Sequence, residues 1–442
     1  MTTFKIPKRI STALLNSLAA GVVPRVGLEH IAVGRKDEIG ALLQDLENIA
    51  EGGASFRFIV GRYGSGKSFL LQLLRNYAME RDFVVSDVDL SPERRLAGTD
   101  GQAVATYREL LRNIATKARP DGGALAPVLE HWIGNIQAKV VKESGKRPSD
   151  PGFNEAVEQG ILETINNMEG MVHGFDFASV LTAYWRGYRE SNDAMKSGAL
   201  RWLRGEYSTK TEAKSELGVR VIVDDDNWYD YVKLLAKFIS DVGYKGFLVL
   251  IDEGVNLYKI THSVSRENNY EKLLTIFNDA MEGKAEHLGL LLGGTNQFVE
   301  DPRRGLYSYE AIRSRLAESR FAREGLRDNS GPLLRLQTLT SEEIFVLLTR
   351  LANVHAAHYA YQNQLSPQML QDFMQEVTNR LGAGTLLTPR EVVRDFIAIL
   401  NILRQNQNIT FSQLIHGSDF KPTNVSKDPD IDESDKVAEF SV

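Results

Sequence analysis

"FRFIVGRYGSGKSFLLQLLRNYAM", residues 56–79, decides the fold. "FRFIV" (56–60) reads as a short buried strand and "SFLLQLLRNYAM" (68–79) as a helix. Between them, "GRYGSGKS" (61–68) fits G-x-x-x-x-G-K-[ST]. The strand delivers the chain into a glycine-rich turn whose backbone N–H groups wrap phosphates, and the helix N-terminus adds its dipole. Gly61, Gly64 and Gly66 allow an approach that a Cβ would obstruct. Lys67 is placed to reach the outer phosphates and Ser68 to ligate Mg²⁺. Arg62, Tyr63, Ser65 and Phe69 complete the expected nucleotide contacts. The alternative, a glycine turn with an exposed lysine, does not explain why strand and helix flank the motif.

Working outward, "DFVVSDVDL" (82–90), "GFLVLIDEG" (246–254), "HLGLLLGGTN" (287–296) and the start of "LLRLQTLTSEE" (333–343) read as further strands. Uninterrupted apolar strands imply a parallel sheet covered on both faces. "VGRKDEIGALLQDLENIAEGG" (33–53) carries Ile39, Leu42, Leu43, Leu46 and Ile49 at helical spacing. Residues 104–240 show helical periodicity and no strand. Helices resume after Thr340 or Ser341 as cap.

"FLVLIDE" sets Asp252 and Glu253 at a strand's carboxyl end, the edge where open α/β sheets bind ligands. Asp252 is expected to hold Mg²⁺ through water, and Glu253 to orient the attacking water. Asn296, beside Thr295 at the same edge, is a candidate to hold that water; capping a loop is its plainer role.

The composition fits a globular chain with ample core: 442 residues, 43% hydrophobic, 25% charged, net charge −6. Cysteine is absent, excluding disulfides and thiolate metal sites. A cytoplasmic location without membrane contact is expected, since no apolar run approaches the roughly 20 residues of a membrane helix. Any nucleic-acid contact would need a local basic strip.

These parts, in this order, resemble an AAA+ ATPase, nearest to the initiator or ORC-like branch. A closer resemblance, over roughly residues 20 to 405, is to the P-loop ATPases of BREX phage-defence systems, the BrxC/BrxD group. It rests on "VGRKDEI", "GRYGSGKSF", "LIDEGVNLYKI", "GLYSYEAIRSRL" and "LTPREVVRDF". Length favours the compact BrxD type. The resemblance implies a three-layer α/β/α P-loop domain with a parallel sheet, a large helical insertion and a C-terminal helical lid. The chain is expected to divide into an N-terminal extension (1–30), an ATPase core (31–340, insertion about 104–240), a lid (341–416) and a tail (417–442) whose acidic, apolar-poor composition reads as disordered. The resemblance places Gly34 and Arg35 near the adenine and Arg390 on the γ-phosphate from the lid. It also implies ATP and Mg²⁺ as ligands, a homo-oligomer, and a protein partner such as a defence-system helicase. About 80 residues follow the last strand, too few for a lid plus a winged-helix domain, so any DNA contact is expected to lack sequence specificity.

"EDPRRGLYSYEAIRSRLAESRF" (300–321) concentrates Arg303, Arg304, Arg313, Arg315 and Arg320. In AAA+ rings the segment after the first sensor strand sends an arginine to a neighbour's nucleotide. Arg313 and Arg315 lie about 200° apart on a helix, so only one is expected to face a given phosphate. Arg315 is the first choice and Arg313 the second; a solvated helix face is the plainer alternative. Arg303 and Arg304 are candidates for DNA or interface contact.

Three further features favour structural roles. "YWRGYRE" (184–190) and "RWLRGE" (201–206) offer a stacking pattern, but packed helices with snorkelling arginines explain it. His355 and His358 lack a third metal ligand. "DDDNWYDY" (224–231) suits a helix start. The functions open on sequence alone are a Mg·ATP-hydrolysing motor or switch on DNA, a slowly hydrolysing assembly scaffold, and a P-loop kinase.

Overall fold

Alternate residues of each strand enter different cores, as a two-residue side-chain period requires. In the computed structural model, which describes residues 6–316, 329–381, 388–406, 408–417, 420 and 422, the strands are β1 (Ala54–Val60), β2 (Val84–Asp89), β3 (Phe247–Asp252), β4 (Leu288–Gly294) and β5 (Leu333–Arg335). All pairings are parallel, in the order β2-β3-β4-β1-β5. Ile59, Val85, Leu248, Leu250 and Leu291 pack under the helices Lys36–Ala50 and Lys67–Glu80. Phe56, Phe58, Val84, Val249 and Leu290 enter the opposite core. The helices Gln102–Arg112, Trp228–Val242 and Ser263–Met281 cover that face. This is the expected three-layer α/β/α arrangement with a parallel sheet.

Between Gln102–Arg112 and Trp228–Val242 the chain forms five more helices, spanning Leu125 to Leu217. They share one continuous core with the sheet; Trp132 meets Phe238 edge-on at 5.2 Å. Trp185 and Trp202 are buried, and Trp202 donates to the Val221 carbonyl at 2.7 Å. Arg201 pairs with Glu212 at 2.7 Å. The two tryptophans of the aromatic–arginine stretch therefore serve packing, while Tyr188 is exposed. The acidic run has a similar explanation. Asp225 accepts the N–H groups of Gly101, Ala103 and Val104 at 2.8–2.9 Å, capping the neighbouring helix.

A third core lies at the carboxyl edge of the sheet. It joins Leu14 and Leu15 of the helix Lys8–Ala19 to Ser341–Tyr359, Pro367–Leu381, Pro389–Gln405 and Phe411–His416. Thr340 and Glu343 form a reciprocal capping box that starts the first of these four helices. Residues 8–19, expected in a separate extension, thus pack into the lid. Within that core His355 sits 2.8 Å from Tyr361 Oη and 3.1 Å from Asn401 Oδ1, while His358 faces Ser11. Both rings are thus engaged by neighbouring side chains. Among the described residues no cluster of three or more His, Cys, Asp or Glu side chains is placed to hold a metal ion, and no helix is long and apolar enough to cross a membrane. Arg320 and nearly all of the acidic tail lie outside the described residues.

Candidate nucleotide site

β1, β3 and β4 end at the same edge, bringing the phosphate loop, Asp252 and Thr295 together. The chain crosses past β1 on its way from β4 to β5, and a cavity of about 300 Å³ opens beside this crossing. Its polar end is lined by Tyr63–Phe69, Asp252, Glu253, Lys259, Gly293, Gly294 and Thr295. Its apolar end is lined by Leu18, Val22, Val23, Pro24, Ile31, Val33, Leu339, Leu347 and Val393. Such a division suits a ligand with a flat apolar part and an anionic tail.

The loop is shaped as its motif requires. Gly64 and Gly66 have φ of 76° and 91°, and no atom lies within 4 Å of where a Cβ on Gly66 would stand. Lys67 Nζ donates to the carbonyls of Gly61 and Arg62 at 2.9 and 3.0 Å. Ser68 Oγ donates to Asp252 Oδ2 at 2.5 Å across 184 residues of sequence. Gly293 lets Asp252 pass: a Cβ there would sit 2.5 Å from Asp252 Oδ1.

Glu253 follows in a left-handed conformation, φ 57°, with its N–H donating to Asp252 Oδ1 at 2.8 Å. Partial desolvation in the cleft, then the charges of Asp252 and Asp89, raise its carboxyl above the usual glutamate range; Lys67 and Lys259 oppose this. Asp89 stands opposite Asp252 in the β2–β3 register, and burial and Asp252 raise its carboxyl too.

From the lid, Arg390 Nη1 donates to Tyr63 Oη at 2.6 Å, with its guanidinium 5.4 Å from the Tyr63 ring centre. Thr388 presses on the loop, so that a Cβ on Gly64 would meet Thr388 Cβ at 2.7 Å. Arg35, at φ 64°, donates to the Ser65 carbonyl at 2.9 Å and to the Gln337 carbonyl. Gly34 abuts the Glu343 carboxylate.

Of the candidates, Arg35, Tyr63, Gly64, Ser65, Gly66, Lys67, Ser68, Phe69, Asp252, Glu253 and Arg390 line the cavity. Gly34, Gly61 and Arg62 flank it. Asn296 opens the short helix Asn296–Glu300, and Thr295 takes the lining position before it. Arg313 is 59% exposed and lies 3.6 Å from Glu310. Arg315 donates to Asn278 Oδ1 at 2.9 Å and to the Ala311 carbonyl at 2.8 Å. Neither arginine lines its own chain's cavity. Arg304 lies over the Tyr258 ring at 5.2 Å, and the Arg303 N–H donates to Asp301.

Sequence reasoning missed the apolar end of the cavity. "GVVPRVGL" reads as a glycine–proline break, yet Val22, Val23 and Pro24 form one wall. The available signal was an apolar run held beside the 33–39 box. It also missed Lys259, seven residues beyond Asp252.

The residues fit Mg²⁺ and ATP. Mg²⁺ keeps several waters and takes one or two protein oxygens beside phosphates. The converging Ser68 hydroxyl and Asp252 carboxylate supply such a donor pair. No curated protein matches the sequence. The family described as BREX system ATP-binding protein BrxC/D matches residues 6–419, and the chain belongs to that family.

Proposed function

We propose that this chain is a Mg²⁺-dependent AAA+ ATPase that works as a DNA-associated motor or switch in a BREX defence assembly. The observation that carries the proposal is the Ser68–Asp252 contact, set beside Glu253 over the phosphate loop. Ser68 and Asp252 would hold Mg²⁺, which when bound neutralises charge on the transferring phosphoryl group. Lys67 supplies a cation to the outer phosphates, and the loop N–H groups cradle them. Glu253 orients the attacking water and accepts its proton; a raised carboxyl pKa brings this base closer to working pH. Arg390 reports the anionic end of the nucleotide to the lid.

Arg315, or Arg313 beside it, is proposed to serve a neighbouring copy's site. Arg313 must leave its exposed ion pair with Glu310, and Arg315 must leave Asn278. A homo-oligomer is therefore part of the proposal.

Steady-state ATP turnover with and without DNA, on the wild type and Glu253→Gln, tests it. The substitution is expected to lower kcat at least 100-fold while ATP binding persists. Unchanged turnover would sink the mechanism. A second reading, a nucleotide-controlled scaffold with slow hydrolysis, is favoured by the contacts of Arg390 and Thr388 with the loop, which tie lid position to the nucleotide. Stimulation by a protein partner but not by DNA would select it.

A further inference from the structure

The chain carries 58 aspartates and glutamates in 442 residues, yet residues 6–28, 344–371 and 396–417 contain none. At the average frequency those 73 residues would hold about ten. Folding gathers these segments, since the helix Lys8–Ala19 packs on both Ser341–Tyr359 and Pro389–Gln405. At their common end stands a row of rings. The His358 and His355 rings lie 4.5 and 4.7 Å from the Tyr359 ring. His355 holds Tyr361 Oη at 2.8 Å. The Arg404 guanidinium covers Tyr359 at 4.2 Å from the ring centre. Lys8, Arg9, Tyr359, Tyr361 and Arg404 are all exposed, the two tyrosines by 38% each.

Helix electrostatics explain only part of this. Arg404, in a last turn, suits the negative end of its helix. Lys8 and Arg9 occupy a first turn, where an acid would be favoured, and Pro7 provides no side-chain cap. That helix end adds its positive pole to two cations. His358 is held below the ordinary histidine range by burial and then by Lys8 and Arg404. Ala360 adopts φ 56°, a left-handed turn unusual for a residue with a Cβ. It swings the chain back so that the Tyr361 N–H reaches the Ala356 carbonyl at 3.0 Å, setting the second tyrosine beside His355.

We propose that this end of the lid is a docking surface for single-stranded nucleic acid, with bases stacking on Tyr359, Tyr361 and the Arg404 plane and phosphates meeting Lys8 and Arg9. An anionic ligand follows from cations gathered without carboxylates in an acidic chain. Unpaired bases follow from the rings, since a duplex keeps its bases stacked on one another. The surface deepens the nucleic-acid part of the function proposed above and owes nothing to hydrolysis.

The test is fluorescence anisotropy with a labelled 20-mer oligothymidylate, on the full chain carrying Glu253→Gln, between 50 and 200 mM salt. The pair Lys8→Ala and Arg9→Ala should weaken binding at least tenfold at 50 mM. It should also flatten the log–log salt slope by about 1.4, roughly 0.7 per lost phosphate contact. Tyr361→Leu should weaken binding about fivefold or more with the slope unchanged. ATP affinity within twofold of the parent certifies the fold of each variant. Absence of oligothymidylate binding at 50 mM, or binding that both sets leave intact, would overturn the assignment. So would displacement by polyglutamate as effective, per charge, as by unlabelled oligothymidylate; the surface would then belong to an acidic protein. Failure of the ATPase proposal would instead appear as turnover unaffected by Glu253→Gln.

Discussion

Asp87→Ala should destabilise this chain more than removing the arginine that Asp87 holds. Arg75 lies on the phosphate-loop helix with 1% of its side chain exposed. Its Nε donates to Asp87 Oδ1 at 3.1 Å and its Nη2 to the Pro120 carbonyl at 2.6 Å. Burial outweighs the attraction of Asp87 and pushes Arg75 below the usual arginine value. Without Asp87 a dry guanidinium keeps one carbonyl acceptor, and breaking such a pair costs about 3–5 kcal/mol. Arg75→Met removes the charge together with its desolvation cost and refills much of the volume, so about 1 kcal/mol either way is expected. The third partner, Arg25, is half exposed and 3.4 Å from Asp87, which is worth at most about 1 kcal/mol. Unfolding 442 residues releases roughly 0.9 kcal/mol per kelvin at about 2.1 cal/mol/K per residue. The Asp87→Ala loss therefore reads as a fall in Tm of about 3–5 °C. Calorimetry of Asp87→Ala, Arg75→Met and the double variant measures it, and the double variant should recover most of the fall. An Asp87→Ala melt within 1 °C of wild type, or a double variant as unstable as Asp87→Ala alone, would refute the argument.

Three further outcomes are expected. Because the Glu253 carboxyl is raised in the free protein, kcat/KM should fall on acidification at a pH above the ordinary glutamate range, and Lys259→Met should move that limb higher still. The folded state holds the Glu253 proton more tightly than the unfolded state, so ionisation opposes folding above the raised pKa; Glu253→Gln should raise Tm at pH 8 and have less effect at pH 4. Arg315→Ala should cut turnover with ATP binding kept within twofold, and mixing it with Glu253→Gln chains should restore part of the activity; no rescue in a confirmed oligomer would leave Arg315 as a tether to Asn278. Gly64→Ala should weaken ATP binding at least tenfold, because the position is left-handed and a Cβ would strike Thr388. Thr388→Gly should restore part of that loss, and equilibrium binding of a fluorescent ATP analogue would show whether it does.

The sheet was legible because its strands announce themselves locally. Leu248–Ile251 and Leu288–Leu292 are apolar on both faces, which only a covered parallel strand tolerates. The phosphate loop and the Asp252–Glu253 pair were equally local, each a few residues whose chemistry needs one spacing. What sequence left unread depends on contacts over hundreds of residues. Nothing in "KRISTALLNSLA" says that its apolar stripe lies on helices more than 300 residues away. Nothing in Asp225 says that it caps the helix beginning at Gln102. Trp185 and Trp202 carry the same local pattern whether they stack on bases or on the core, and only burial separates the two. Arg315 shows the same limit: a helical wheel gives its direction, but not that Asn278 waits there.

The joining of the helix Lys8–Ala19 to the lid bears on the order of synthesis. The apolar lining of the cavity comes from residues 18–33 and from Leu339, Leu347 and Val393. A nascent chain that has already folded its five-stranded sheet still has a phosphate loop with no enclosed pocket above it. Residues 8–19 must meanwhile keep their apolar stripe in water, or on a chaperone, until the helix Pro389–Gln405 has cleared the ribosome. Retention of a ligand in that cavity is thus expected only after the helix Pro389–Gln405 has emerged to complete its lining.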